Sequence, residues 1–91
     1  MSQQAIVSPE ALERFAGSVR LFNSQIRESI IRLQGQFQAL GDTWRDQEHS
    51  RFAAEFETTM QQLQQFIKVA DEQVPFLLRK AQKAHEYLSQ R

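Results

Sequence analysis

The chain has no cysteine and few residues that bend a backbone: three glycines and two prolines in 91 residues. Without cysteine there is no disulfide framework, no thiol nucleophile and no thiolate metal site. No glycine-rich loop is present to cradle a phosphate. Neither sign of charge is in surplus, since Lys+Arg and Asp+Glu stand at 11 each. Tight binding to nucleic acid needs a basic excess, so no nucleic-acid partner is expected. No apolar run approaches the roughly 20 residues of a membrane span. The first residues show no basic stretch followed by an apolar one, so a cleavable signal peptide is not expected. His49 and His85 are the only histidines. His85-Glu86 opens like a zinc-protease motif, but no second His follows at the required spacing, so no metal is expected. Asp46, Glu48, His49 and Ser50 adjoin one another, yet neighbouring positions on a helix point in different directions. A nucleophile and its base must converge in a pocket. An enzyme is therefore not expected, and no cofactor is implied.

What is present is helical periodicity. Ser8-Pro9-Glu10 is a helix start: Ser8 caps, Pro9 suits the first helical position, and Glu10 favours the positive helix end. Ile6 and Val7 are placed to pack back over that turn. Apolar residues then recur at Leu12, Phe15, Val19, Phe22, Ile26, Ile30, Leu33, Phe37 and Leu40. The steps of three and four predict one helix with a single apolar seam near the coiled-coil period. Gly17 and Gly35 lie off that seam. Each costs roughly 1 kcal/mol against Ala in a helix interior, a cost that close approach of a neighbouring helix would offset. Gly41 follows the last seam residue and reads as a C-cap glycine.

Leu40-Gly41-Asp42-Thr43-Trp44-Arg45-Asp46 then forms a turn at the midpoint. Thr43 or Asp46 caps the second helix, since Thr43-x-x-Asp46 loosely resembles a capping box. The seam resumes at Phe52, Phe56, Met60, Leu63, Ile67, Ala70, Val74, Leu77, Ala81, Ala84 and Leu88. Pro75 removes one backbone bond, but the seam keeps its phase, which predicts a kink and not a break. Arg79, Lys80, Lys83 and Arg91 make the last turns basic, as the negative end of a helix favours. The glutamine clusters fall between seam positions and read as a solvated face. The expected fold is all-α, one domain over 1–91: helix 1 over about 8–40, a turn at 41–45, and helix 2 over about 46–89, kinked near Pro75. The short turn makes the helices antiparallel neighbours, each on the order of 45 to 65 Å long.

A hairpin of this size has too little core to stand alone. Trp44, Phe66, Val69, Phe76 and Tyr87 on the second half, with Leu21 and Ile31 on the first, lie off the seam; together with Phe52 of the seam they are the candidate dimer or partner contacts. An apolar edge of this kind is a liability for a monomer. It predicts burial against a second hairpin, giving a four-helix bundle.

Ser8-Pro9-Glu10, Asn23-Ser24-Gln25-Ile26, Trp44-Arg45-Asp46, Ser50-Arg51-Phe52 and Phe56 together resemble the WXG family, the small early-secreted-antigen-like proteins of type VII secretion. The resemblance covers nearly the whole chain. The family pattern is Trp-any-Gly in a midpoint turn, followed by an aromatic residue; Phe52 stands eight positions after Trp44. Asp46 replaces the glycine. The family's exported members carry Tyr, three residues, then Asp or Glu in a tail, whereas Tyr87 is followed at that distance by Arg91. The resemblance implies a hairpin that forms a homodimer, or a heterodimer with a sister protein. It further implies a protein secreted without a cleavable signal peptide, or cytoplasmic before export. Trp44, Arg45, Asp46 and Gly41 would form a surface recognised by the secretion machinery or a larger substrate protein. The alternative is a cytosolic helical adaptor or chaperone that pairs with a larger, toxin-like partner.

Overall fold

A computed structural model of the chain describes residues 7–90; Ile6 and Arg91, which carried a packing and a charge expectation, lie outside the described residues. Two helices form an antiparallel hairpin, α1 over Pro9–Leu40 and α2 over Gln47–Ser89. The Ser8 hydroxyl accepts the Ala11 N–H at 3.2 Å, and Pro9 occupies the first turn. α2 runs through Pro75 as one helix. Because α2 continues to Ser89, Arg79, Lys80 and Lys83 lie upstream of its last turn, which holds no basic residue. Their expected role at the helix end is thereby corrected.

The core is a single row of knobs. On α1 the buried residues are Pro9, Ala16, Asn23 and Ile30; on α2 they are Met60, Ile67, Val74 and Ala81. Both sets recur every seventh residue, the heptad spacing of paired helices. Ile30, Met60 and Ile67 form its centre, with Ile26, Phe56 and Leu63 packed against them. This corrects the seam on α1. Phe15 and Phe22 are 58% and 50% exposed, while Ala16 and Asn23, one position later, take the buried places. Likewise Phe52 is exposed, and Ala53 is the half-buried residue. Small residues at these levels let the helix axes approach; two phenylalanines facing one another would hold them apart. Leu33, Leu40 and Leu88 remain more than two-fifths exposed despite their seam positions. Gly17 and Gly35 would have nothing within 4 Å of an added Cβ, so within the hairpin neither serves a close helix approach.

The hairpin is a rod of 68 × 23 × 16 Å with a radius of gyration of 20.6 Å. A compact chain of this length has a radius near 12 Å.

Candidate functional site

The midpoint turn is closed by its own polar groups. The Leu40 carbonyl accepts the N–H groups of Thr43 at 3.1 Å and Trp44 at 2.8 Å. The Arg45 Nε donates to the Gly41 carbonyl at 2.7 Å. The Asp46 carboxylate accepts the His49 N–H at 2.9 Å and caps α2. Arg45 thus ends one helix and Asp46 starts the next, a division of labour that satisfies groups each helix end leaves free. Gly41 is the residue after α1, with φ −62° and ψ −14°. That is ordinary right-handed backbone, so glycine's special freedom is not what ends the helix.

Beneath the turn lies a cluster of rings. His49 stacks on Phe37 with centroids 5.1 Å apart and planes within 4°, and meets Trp44 edge-on at 4.9 Å. Phe52 lies 6.0 Å from Trp44 and 5.8 Å from Phe56. Trp44 is therefore half-buried in its own chain's tip, set apart from the exposed stripe with which its position had grouped it. Its loss removes aromatic packing of about 0.5–1.5 kcal/mol per pair beyond area burial. The His49 Nε2 is enclosed with no hydrogen-bond partner in the chain. The sequence signal for His49 was its place seven residues before Phe56, on the seam.

Along the rod the two flanks of the seam differ. Residues that directly follow seam positions pair across the hairpin: Arg27 with Asp71, and Glu13 with His85 at 3.2 Å. The exposed apolar residues Phe15, Phe22, Phe52, Phe66, Val69, Phe76 and Tyr87 each directly precede a seam position. Phe15 and Phe22 share one groove with Phe66 and Phe76. Ile31, 69% exposed, lies on the other flank beside Arg27, Asp71 and Pro75. Leu21, 60% exposed, precedes no seam residue and stands on the back of α1. So of the interface candidates singled out from sequence, Phe52, Phe66, Val69, Phe76 and Tyr87 fall along one flank of α2. Leu21 and Ile31 do not join it, and Phe15 and Phe22 do.

Asn23 sits between the flanks. Its Nδ2 donates to Asp71 at 2.7 Å, and Asp71 also takes Arg27. The Asn23 Oδ1 has no partner, a deficit of about 1–3 kcal/mol for an enclosed acceptor. No group of three or more His, Cys, Asp or Glu that could hold a metal is present among the described residues. No helix of the described chain is long and apolar enough to cross a membrane.

Fold and tip together define a small helical hairpin with an apolar flank, built for pairing. Comparison with known proteins agrees. The model of the WXG100 family, proteins of 100 residues with WXG, matches residues 4–86, and the chain belongs to that family. A proline-to-alanine variant of the secreted protein EsxB from Bacillus anthracis str. Sterne is 30% identical, with a TM-score of 0.82 over 89% of this chain and 94% of that one. Wild-type EsxB is 29% identical, with a TM-score of 0.79 over 93% and 97%. No curated protein matches.

Where the family has glycine after Trp-x, this chain has the capping Asp46. Asp46→Ala is expected to lower stability by about 1 kcal/mol, and Asp46→Gly by only a few tenths. Urea unfolding measures both; no loss in the alanine variant would contradict the capping role.

Proposed function

We propose that the chain is a non-catalytic, exported interaction protein whose working form is a dimer of hairpins, a four-helix bundle handled by a type VII-like secretion system. The aromatic flank carries this reading. The chain exposes 7261 Å², whereas a compact monomer of 10.6 kDa exposes roughly 5,500 Å². The excess, on the order of 1,800 Å², exceeds the roughly 800 Å² that one partner buries in a standard interface. The flank also has the right placement for a second copy. Phe22 stands five residues before Arg27, and Phe66 and Phe76 stand five residues either side of Asp71. Arg27 and Asp71 meet near mid-length of both helices; Phe66 lies on the turn side of that level and Phe15, Phe22 and Phe76 on the side of the chain termini, so the patch spans the middle of the rod. A two-fold axis through that middle lays the patch on its own copy. The secreted EsxB, alike in fold along almost its whole length, supports export for this chain.

The test is deletion of the secretion ATPase in the producing cell. The protein is expected to move from the medium into the cell fraction. An unchanged distribution would overturn the export role. Recovery from cells of one stoichiometric larger partner, with none in the medium, would select the adaptor role instead.

A further inference from the structure

Gly17 and Gly35 lower the stability of α1 relative to alanine, and nothing in the hairpin lies within 4 Å of a Cβ added at either. They share a stripe with Leu21, Ser24, Glu28 and Ile31, in alternating steps of four and three. That is the period of a coiled-coil seam. All six residues are exposed, Leu21 at 60% and Ile31 at 69%. At 3.6 residues per turn the stripe is roughly 80° wide, and its centre lies about 120° round the helix from the buried Ala16, Asn23 and Ile30. Phe15 and Phe22 lie about 150° from it, so docking on the phenylalanine flank leaves the stripe open. It also has the same character read from either end. Glycine is outermost, an aliphatic side chain comes next, and polar residues hold the middle.

We infer that this outer stripe is a second self-interface, on which α1 packs antiparallel against α1 of another copy and joins two dimers back to back. The pairing goes beyond the dimer proposed above and does not depend on it. The midpoint of the stripe is the level of Ile26. Gly17 and Gly35 lie nine residues either side of that level, Leu21 and Ile31 five, Ser24 and Glu28 two. A two-fold axis there sets Gly17 level with the copy's Gly35, and Leu21 level with its Ile31. The Ser24 hydroxyl comes level with the copy's Glu28 carboxylate, to which it can donate. Parallel pairing would set the two Glu28 carboxylates opposite one another, where like charges repel. Glycine at both ends of the contact lets the helix axes approach, which offsets the cost of the two glycines. Area allows it: of the excess surface of about 1,800 Å², one standard interface takes about 800 Å² and leaves about 1,000 Å². With two large side chains per copy the contact is weak, forming at concentrations on the order of 1 mM, above those of the dimer.

The chain has no cysteine, so a single introduced thiol per chain reports the register. Gly17→Cys and Gly35→Cys proteins are mixed at about 1 mM and mildly oxidised. The mixture is expected to give a disulfide between positions 17 and 35, which lie level and close in the pair. Gly17→Cys alone is expected to give little product, because its two thiols stand roughly 27 Å apart along the pair. Native protein should also grow beyond the dimer mass as it nears that concentration. Gly17→Gln with Gly35→Gln adds good helix formers where the hairpin has open space. It is expected to keep the helical signal and the dimer mass and to lose the growth. No disulfide in the mixture, or as much in Gly17→Cys alone, would overturn the antiparallel pairing. So would growth in the glutamine variant equal to the native protein's. A native chain that is monomeric when dilute, yet gives the 17-to-35 product in the mixture, would sink the flank dimer and support this pairing.

Discussion

Ile67→Asp is expected to abolish cooperative folding. Ile67 is 2% exposed at the centre of the seam that joins α1 to α2, against Ile30 and Met60. The change removes apolar packing of about 2–5 kcal/mol. It also places a carboxylate where the nearest partners are aliphatic, with an effective penalty of several kcal/mol per unpaired ion. Those losses match the roughly 5–15 kcal/mol that holds an ordinary domain together, and this hairpin has a core only one residue deep. Circular dichroism should show loss of the helical signal and of any sharp melting transition. Ile31→Asp, at a 69% exposed site, should leave both intact. A normal melt for Ile67→Asp would mean that the two helices are held by something other than this seam.

The double substitution Phe22→Glu with Phe76→Glu is expected to separate the dimer. Both rings are half exposed or more in the single hairpin, so the change leaves the seam alone. Burial of each ring against a second copy is worth about 1.5–3 kcal/mol, and four carboxylates brought to one patch add repulsion. Affinity should fall by at least a hundredfold, which corresponds to about 2.7 kcal/mol. The melting temperature of the native protein should rise with protein concentration, as mass action requires of a dimer, and that dependence should vanish in the variant. If Ile31→Asp breaks association and the phenylalanine pair does not, the partner sits on the charged flank.

Much of this was legible in the chain. Steps of three and four gave two helices around the Trp44 turn, and Ser8-Pro9 gave the first boundary. The resemblance at Trp44-Arg45-Asp46 led to the family. The error on α1 had a visible sign: Phe22, Ile26 and Ile30 are spaced by two consecutive fours, a phase slip in a heptad. Stepping back by seven from Ile30 lands on Asn23 and Ala16. A polar residue and a small one carry no hydrophobic signal, so the larger rings beside them attracted the assignment. Helical position alone groups Trp44 with the off-seam stripe; the turn packs it on His49 and Phe52 of its own chain and leaves it half-buried. Arg27–Asp71 and Glu13–His85 join residues far apart in sequence. Such pairs follow from the register of one helix on the other, which periodicity alone leaves free by whole heptads. Once that register is known the flanks divide: the paired groups Arg27, Asp71, Glu13 and His85 each follow a seam residue, and the exposed rings Phe15, Phe22, Phe52, Phe66, Phe76 and Tyr87 each precede one.

In the proposed dimer one hairpin completes its burial against a second through the phenylalanine flank. The most direct measurement is the mass of the native protein by light scattering across a dilution series. A mass of twice 10.6 kDa is expected, giving way to smaller species only at high dilution. A mass of 10.6 kDa at every concentration, with full helical signal, would contradict it.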